Sequence, residues 1–279
     1  MHCLTGRLVW LLLVLSAAAC AGCSSNQQLN PSFPLTVRQA EDALRQMRGE
    51  PKPLERPMVV LAGIHDPGLI VSALARRLGK TVTGGPIIEV SFFAADTFEE
   101  CRDRVIEAVE KAVPGDVRAQ TAEVDVVAIS MGGLVARFAA QRRSDDGRRL
   151  NIKRLFTIAT PHRGARLAVL PTLDKRQVDM RVGSAFLAAL EAGRAEAGYD
   201  LLAYVRLGDA IVGPENTAPP GGFVWWVPNR PLSLSHVQAS EDPRIVADIA
   251  RRLRGEQPFS TLPAAPLPGA GAESGPVRP

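Results

Sequence analysis

The stretch Val124-Asp-Val-Val-Ala-Ile-Ser-Met-Gly-Gly-Leu-Val-Ala-Arg137 decides the fold of this 279-residue chain. Its first six residues have the length of a strand and are apolar apart from Asp125, and the residues after Ser130 have the spacing of a helix. Small residues stand two positions before and two positions after the serine, at Ala128 and Gly132. Such neighbours permit the sharp strand-to-helix turn that exposes a serine hydroxyl at a sheet edge. The pattern predicts a nucleophile there, and the alternative is a serine that only caps a helix.

Short apolar runs alternate with amphipathic helical segments on both sides of this stretch. Such alternation predicts crossover connections, and therefore one mostly parallel central sheet with helices on both faces (class α/β). Capping patterns at Thr36 and Thr97 mark two of the helix starts. The predicted strands are Met58–Ala62, Ile87–Phe92, Val124–Ile129, Arg154–Thr160, Leu202–Arg206 and Phe223–Val227. The predicted helices are Thr36–Arg48, Leu69–Leu78, Phe98–Val113, Gly132–Gln141, Ser184–Ala195 and Arg244–Leu253.

Composition excludes several classes of protein. Hydrophobic residues make up 46% of the chain and charged residues 22%, which excludes a mainly disordered polymer. The formal net charge is only +4, with both signs interspersed, and aromatic residues are 5%, so we expect no nucleic-acid partner. Neither a metal nor another cofactor is expected, because the histidines and cysteines lack ligand spacing and no glycine-rich phosphate loop is present.

The first segment, residues 1–22, is predicted to be an export signal. It contains Arg7 followed by a 12-residue apolar run over 8–19, shorter than the roughly 20 residues of a membrane-spanning helix. The following Ala21-Gly22-Cys23 resembles the end of a bacterial lipoprotein signal. That resemblance implies cleavage before Cys23 and acylation of its thiol. Cleavage before Cys20, or an ordinary signal without lipid, are the alternatives.

A lipid on Cys23 would make this an exported, membrane-anchored protein of the cell envelope. Ser24 after the cut resembles the rule that sends lipoproteins of Gram-negative cells to the outer membrane. Residues 23–35 are then predicted to be a flexible tether, residues 36–256 the folded domain, and the Pro-, Gly-, Ala- and Ser-rich residues 257–279 a disordered tail. With Cys23 acylated, Cys101 has no disulfide partner and is predicted to be a buried thiol.

Three segments together resemble the α/β-hydrolase superfamily, and within it the bacterial lipases and esterases. Ala128-Ile-Ser-Met-Gly-Gly-Leu-Val-Ala-Arg137 resembles the nucleophile elbow and the helix that follows it. Thr157-Ile-Ala-Thr-Pro-His-Arg-Gly-Ala165 is similar to a strand end and loop beside the pocket. Arg206-Leu-Gly-Asp209 and His236 stand where the family keeps its acid and its histidine. The resemblance covers about residues 57 to 255, and it implies a small cap region over residues 167–199.

The resemblance implies a catalytic triad in the chain order serine, acid, histidine. For the base, His236 is preferred because it comes last and precedes the closing helix. His65 and His162 are the alternatives, and His162 is expected instead to fix a loop by a hydrogen bond.

For the acid, Asp209 at a strand end is preferred over Asp200 and over Asp242, which is expected to cap the last helix. The family's oxyanion hole implies two backbone N–H donors, from Met131 and from Ile64, with His65 as the fallback for the second.

The activity that the resemblance implies is hydrolysis of carboxylic esters through an acyl-enzyme, with a small-molecule or lipid ester as substrate. An acyltransferase or a thioesterase would use the same triad, because an acyl-enzyme serves all three reactions. A binding protein of the envelope that has kept the fold without the chemistry is the alternative from a different class.

Overall fold

The computed structural model describes residues 29–114, 120–141, 147–229 and 234–269. Six strands within these ranges form one parallel sheet in the order β4-β2-β5-β6-β7-β8. A separate parallel pair joins β1 and β3. The strands are β1 (Lys52–Pro53), β2 (Met58–Leu61), β3 (Val82–Thr83), β4 (Ile87–Val90), β5 (Val124–Ile129), β6 (Ile152–Ile158), β7 (Asp200–Arg206) and β8 (Trp225–Val227).

Helices cover both faces of the sheet, which explains why β2 and β5 are buried along their whole length and apolar apart from Asp125, whose carboxylate pairs with Arg154. The helices are α1 (Val37–Gly49), α2 (Leu69–Gly79), α3 (Phe98–Ala112), α4 (Met131–Ala140), α5 (Lys175–Asp179), α6 (Ala185–Ala192), α7 (Ser235–Gln238) and α8 (Pro243–Leu253). Helices α1 and α2 pack against α8, whereas α3 packs against α4.

The direction of strand addition reverses at β2. The chain first passes through α2 to β4 on one side of β2, and then through α3 to β5 on its other side. Because such crossovers are right-handed, the reversal puts α2 and α3 on opposite faces. It also leaves a crevice beyond the carboxyl ends of β2 and β5, which is where sheets of this kind bind ligands.

The predicted architecture is confirmed. Strand β5 has the predicted bounds, and the other predicted strands and helices are present with ends that differ by a few residues. Thr36 and Gln39 form the predicted capping box, and the Asp242 side chain accepts the N–H of Arg244 at the start of α8, as predicted. Cys101 is buried, as predicted.

The predicted limits of the folded domain are wrong at both ends. Residues 29–35, predicted to be tether, pack onto the domain: Phe33 is 1% exposed, and the Asn30 side chain donates to the carbonyl of Trp226 at 2.8 Å. Residues 257–269, predicted to be disordered, pack beside them. Ser260 donates its N–H and hydroxyl to the buried carboxylate of Asp248, at 2.8 and 2.7 Å.

The two terminal segments also contact each other and strand β8. The N–H of Thr261 donates to the carbonyl of Ser32 at 2.8 Å. The indole N–H groups of Trp225 and Trp226 donate to carbonyls of Thr261 and Pro266, at 3.3 and 3.0 Å. Buried hydrogen bonds therefore hold both segments, which composition alone does not reveal.

The predicted cap lies between β6 and β7 and contains more structure than the one predicted helix. A 3-10 turn at Arg166–Val169 and helix α5 precede α6, and a second 3-10 turn at Gly193–Glu196 follows it. On α6, Leu187 and Leu190 are buried, and the Phe186 ring stacks on Phe98 with centroids 4.1 Å apart. These apolar residues of α6 are helix core, as the sequence favoured.

The predicted signal, Cys23 and the first residues of the predicted tether lie outside the described residues. Within the described ranges, no helix is both long enough and apolar enough to cross a membrane.

Candidate active site

Ser130, His236 and Asp209 form one hydrogen-bonded chain at the carboxyl edge of the sheet. The hydroxyl oxygen of Ser130 lies 3.0 Å from His236 Nε2, and His236 Nδ1 lies 2.8 Å from Asp209 Oδ2. The serine follows β5, the aspartate follows β7, and the histidine lies on α7 after β8. The structure thus brings together the three residues that the sequence proposed as a triad, and it brings in none of the alternatives.

The backbone of the turn at Ser130 is strained, and the residue is 8% exposed. Its φ is 51° and its ψ is −123°, a conformation that L-residues rarely adopt. The turn is possible because Gly132 has no side chain: a Cβ there would lie 2.6 Å from the carbonyl oxygen of Ala62. Ser130 does not cap α4 with its hydroxyl, so the capping alternative is wrong.

Asp209 is placed to orient the histidine as an anion. The side chain is 1% exposed, and its Oδ1 accepts the backbone N–H groups of Ile211 and Val212, each at 3.0 Å. Burial opposes ionisation of this carboxyl, but His236 and the two N–H groups outweigh that effect, so its pKa lies below the usual value. The carboxylate is therefore charged at neutral pH and holds the imidazole in one orientation.

The loop after β2 touches the serine turn. At Gly63 a Cβ would lie 3.4 Å from Ser130 Cβ, so the backbone of this loop runs alongside the nucleophile. Met131, the first residue of α4, is buried, and Ile64 is half-buried. The two residues predicted to supply N–H donors therefore flank Ser130 from two separate elements.

Sequence reasoning missed Thr160, which supports the serine turn from the segment that follows the neighbouring strand β6. Its hydroxyl donates to the carbonyl of Ser130 at 2.8 Å, and it is fully buried. A Cβ at Gly133 would lie 2.3 Å from the same hydroxyl oxygen, so the first turn of α4 packs directly on Thr160. The sequence segment from Thr157 to Ala165 contains this residue, but the segment alone does not reveal the hydrogen bond to Ser130.

His162 fixes its loop, as predicted, and does not contact the serine. Its Nε2 lies 3.1 Å from the hydroxyl of Thr157, and its Nδ1 lies 3.2 Å from a guanidinium nitrogen of Arg137. Burial, with the positive charge of Arg137, holds the pKa of His162 well below its usual value. The ring is therefore neutral, and the contact that it makes is structural.

A buried charged network that the sequence did not reveal holds the segment carrying His236. Arg244 makes two hydrogen bonds to the Asp242 carboxylate, at 2.8 and 2.7 Å, and a third to the carbonyl of Pro228 at 2.9 Å. Arg206 donates to the side chain of Gln238 at 3.1 Å, two residues after the histidine. The ends of the segment are thus joined, which restricts the position of the imidazole.

Large apolar side chains are exposed around this edge of the sheet. They follow the carboxyl ends of strands or belong to the cap, and they include Leu69, Phe93, Val169, Leu173, Val178, Val182 and Val237. Leu173, next to the start of α5, is fully exposed. An apolar rim of this kind favours an apolar ligand beside the serine.

Other candidate sites lie elsewhere or are absent from the described ranges. A cleft of about 470 Å³, lined by residues such as Arg149, Ile152 and Gly198, opens at the opposite, amino edge of the sheet and contains no triad residue. In the part of the chain that the structure describes, no group of three or more His, Cys, Asp or Glu side chains is arranged to hold a metal ion.

Comparison with known proteins identifies the fold. No protein-family model and no curated protein sequence matches the chain. Among solved structures, phospholipase PlaB from Legionella pneumophila matches with a TM-score of 0.51 and 13% identity, over 71% of this chain and 58% of PlaB. Mature lipase BlEst2 from Bacillus licheniformis matches with a TM-score of 0.48 and 15% identity, over 68% of this chain and 89% of that one. The likeness to PlaB shows an α/β-hydrolase fold, as the sequence predicted.

Proposed function

We propose that the protein is a serine hydrolase that cleaves carboxylic esters through an acyl-enzyme. The observation that carries this proposal is the hydrogen-bonded chain from Ser130 Oγ to His236 Nε2 and from His236 Nδ1 to Asp209, at 3.0 and 2.8 Å. A serine hydroxyl is a weak nucleophile until a neighbouring imidazole takes its proton, and the imidazole must be oriented by a carboxylate. Both conditions are met at the strained turn that follows β5.

Acylation follows from this geometry. Ser130 Oγ attacks the ester carbonyl carbon while its proton passes to His236 Nε2. The carbonyl oxygen becomes an oxyanion, which the N–H groups of Met131 and Ile64 would stabilise. The carbon–oxygen bond to the leaving group then breaks, and the alcohol departs with the proton from His236.

Deacylation repeats the sequence with water. Water gives a proton to His236 Nε2 and attacks the acyl carbonyl, and the second tetrahedral intermediate collapses to release the acid. The proton returns to Ser130 Oγ. Throughout, Asp209 stays ionised, because its pKa is lowered, and stabilises the imidazolium.

The apolar rim supports an ester with a long acyl chain. Side chains such as Leu69, Phe93 and Val182 are exposed after the carboxyl ends of strands or on the cap, and Ser130 also follows the carboxyl end of a strand. Each methylene that becomes buried contributes about 0.8 kcal/mol, or about fourfold in binding. We therefore expect kcat/KM on p-nitrophenyl esters to rise from acetate towards octanoate.

The test compares the wild-type chain with Ser130→Ala and with Ser72→Ala, a serine on α2 outside the site. Ser130→Ala should abolish ester hydrolysis and labelling by a fluorophosphonate probe, whereas Ser72→Ala should change neither. Labelling that survives Ser130→Ala would overturn the proposal. Two product analyses separate the alternatives: incubation of the acyl-enzyme with an alcohol tests acyl transfer, and incubation of the free enzyme with a thioester tests thioesterase activity.

We further propose that the protein is exported and anchored to the cell envelope by a lipid on Cys23. The support is the sequence pattern of residues 1–23 alone. Growth with radiolabelled fatty acid should label the wild-type protein and not Cys23→Ser. Label that remains on Cys23→Ser would refute the anchor.

A further inference from the structure

The cap contacts the loop that carries the second oxyanion donor, residues 62–65, which we call the oxyanion loop. We propose that the hydrogen bond between His65 on this loop and Asp174 on the cap is a latch that positions the N–H of Ile64. His65 and Asp174 are positioning residues in this proposal, since neither contacts Ser130. The inference rests on the proposed function, because it concerns the oxyanion of that reaction.

On the loop side, His65 holds an unusual backbone conformation. Its φ is 60°, in the left-handed region that L-residues rarely adopt without support from neighbouring structure. Its Nε2 lies 3.0 Å from Asp174 Oδ2. The carbonyl of Ile64 and the N–H of His65 share one peptide plane, and the N–H of Ile64 lies in the plane before it. Loss of the His65 conformation would therefore also shift the backbone of Ile64, including its N–H.

On the cap side, Asp174 is held from several directions. It caps α5 by accepting the N–H of Arg176 at 3.0 Å, and it pairs with the Arg176 guanidinium at 3.0 and 2.7 Å. Arg176 is 1% exposed and donates to the carbonyl of Phe92, after β4, at 3.0 Å. Asp174 is therefore a fixed acceptor, and its position depends on the docking of the cap.

Charge strengthens the latch. Burial opposes ionisation of Asp174, but the hydrogen bonds from His65 and Arg176 hold its pKa well below the usual range. The carboxylate is thus an anion at neutral pH, and hydrogen bonds to an ionised acceptor are stronger than neutral ones.

The primary test replaces His65 by two side chains with equal backbone cost at a positive φ. His65→Ala removes the donor, whereas the amide N–H of His65→Gln can reach the position of Nε2. We expect kcat of His65→Ala to fall about 10- to 100-fold, with KM changed less than twofold. This loss is smaller than the roughly 10²–10³-fold loss in turnover that removal of an oxyanion donor causes. His65→Gln should recover most of the lost activity. The His65 side chain is 29% exposed, so both variants should fold.

Two further measurements separate positioning from simple stability. The rate of fluorophosphonate labelling of Ser130 should fall by the same factor as kcat, because the phosphoryl oxygen occupies the oxyanion hole. Asp174→Asn should reduce kcat, and the double variant His65→Ala/Asp174→Asn should lose no more than the worse single variant. Glu215→Gln, which breaks an exposed ion pair with Arg166 elsewhere on the cap, is the matched control and should behave as wild type.

The outcomes distinguish this inference from the proposed function. Wild-type kcat and labelling in His65→Ala, full additivity in the double variant, or equal losses in His65→Gln and His65→Ala would each overturn the latch. If Ser130→Ala still abolishes activity in that case, the proposed function stands. If Ser130→Ala leaves hydrolysis intact, the proposed function fails first.

Discussion

Replacement of Gly132 by alanine tests whether the serine turn and the oxyanion loop must touch. The added Cβ would lie 2.6 Å from the carbonyl oxygen of Ala62 and 3.0 Å from the Cβ and carbonyl oxygen of Leu61. Ordinary contact begins at 3.4 Å, so α4 or the end of β2 must shift by about 0.8 Å. Ala62 and Leu61 each approach the added Cβ with a backbone carbonyl oxygen, and a backbone atom cannot rotate away as a side chain can.

The expected magnitudes for stability and for activity differ. Overpacking of this kind costs about 1–3 kcal/mol, whereas alanine in place of glycine in a helix regains up to about 1 kcal/mol. We expect a net loss of about 1–2 kcal/mol in the free energy of unfolding. A displacement approaching 1 Å at the reacting groups costs on the order of 10²-fold in rate. Since domains are stable by about 5–15 kcal/mol, unfolding does not account for the activity loss.

The assay measures kcat/KM on a p-nitrophenyl ester together with urea unfolding of the same preparation. Gly49→Ala is the control, because that glycine ends α1 and its added Cβ meets nothing within 4 Å. It should match wild type in activity and be at least as stable towards urea. A Gly132→Ala variant with wild-type activity would refute the reasoning that the close approach of the turn and the oxyanion loop sets the site's geometry.

Three more predictions concern single side chains. Asp209→Asn should lower kcat about 10⁴-fold with little change in KM, because the amide no longer holds the imidazole in the reactive tautomer. Steady-state kinetics measure both constants, and a loss in kcat below tenfold would contradict the prediction. Because the folded-state pKa of Asp174 is lowered, its ionised form contributes stability above the unfolded pKa of about 4, and this contribution is lost as pH falls. Urea unfolding should therefore show a larger deficit for Asp174→Asn at pH 7 than at pH 2.5, and equal deficits would count against the ion pair. Burial raises the pKa of the Cys101 thiol to about 11, so about 0.1% of it is thiolate at pH 8. We therefore expect iodoacetamide to leave Cys101 unmodified in the native protein, and rapid modification of the native protein, seen in peptide mass spectra, would disprove the burial.

The sequence predicted the elements whose signals are local. Strand β5 is an uninterrupted buried run, and the capping box at Thr36 and the cap at Asp242 are short-range hydrogen bonds. The small residues around Ser130 likewise predicted its strained turn. In each case the residues that determine the structure lie within a few positions of one another.

The contacts that the sequence did not reveal join distant residues. Asn30 bonds to a carbonyl 196 positions away, and Thr160 supports Ser130 from the segment after the adjacent strand β6. The segment 257–269 reads as disordered because it is rich in proline and small residues, yet a few specific hydrogen bonds to Asp248 and the two tryptophans hold it. The composition of a segment indicates its average tendency to be disordered, and it does not identify the residues of the folded domain with which the segment bonds.

The packing of residues 29–35 and 257–269 on β8 matters for the recombinant production of this protein. A recombinant version that ends at residue 256 would lack the two hydrogen bonds from Ser260 to the Asp248 carboxylate. It would also expose the indoles of Trp225 and Trp226. Strand β8 lies at the border of the sheet, and an uncovered border strand is a template for self-association. Purification handles therefore belong beyond residue 269, and shortened versions should precipitate on concentration.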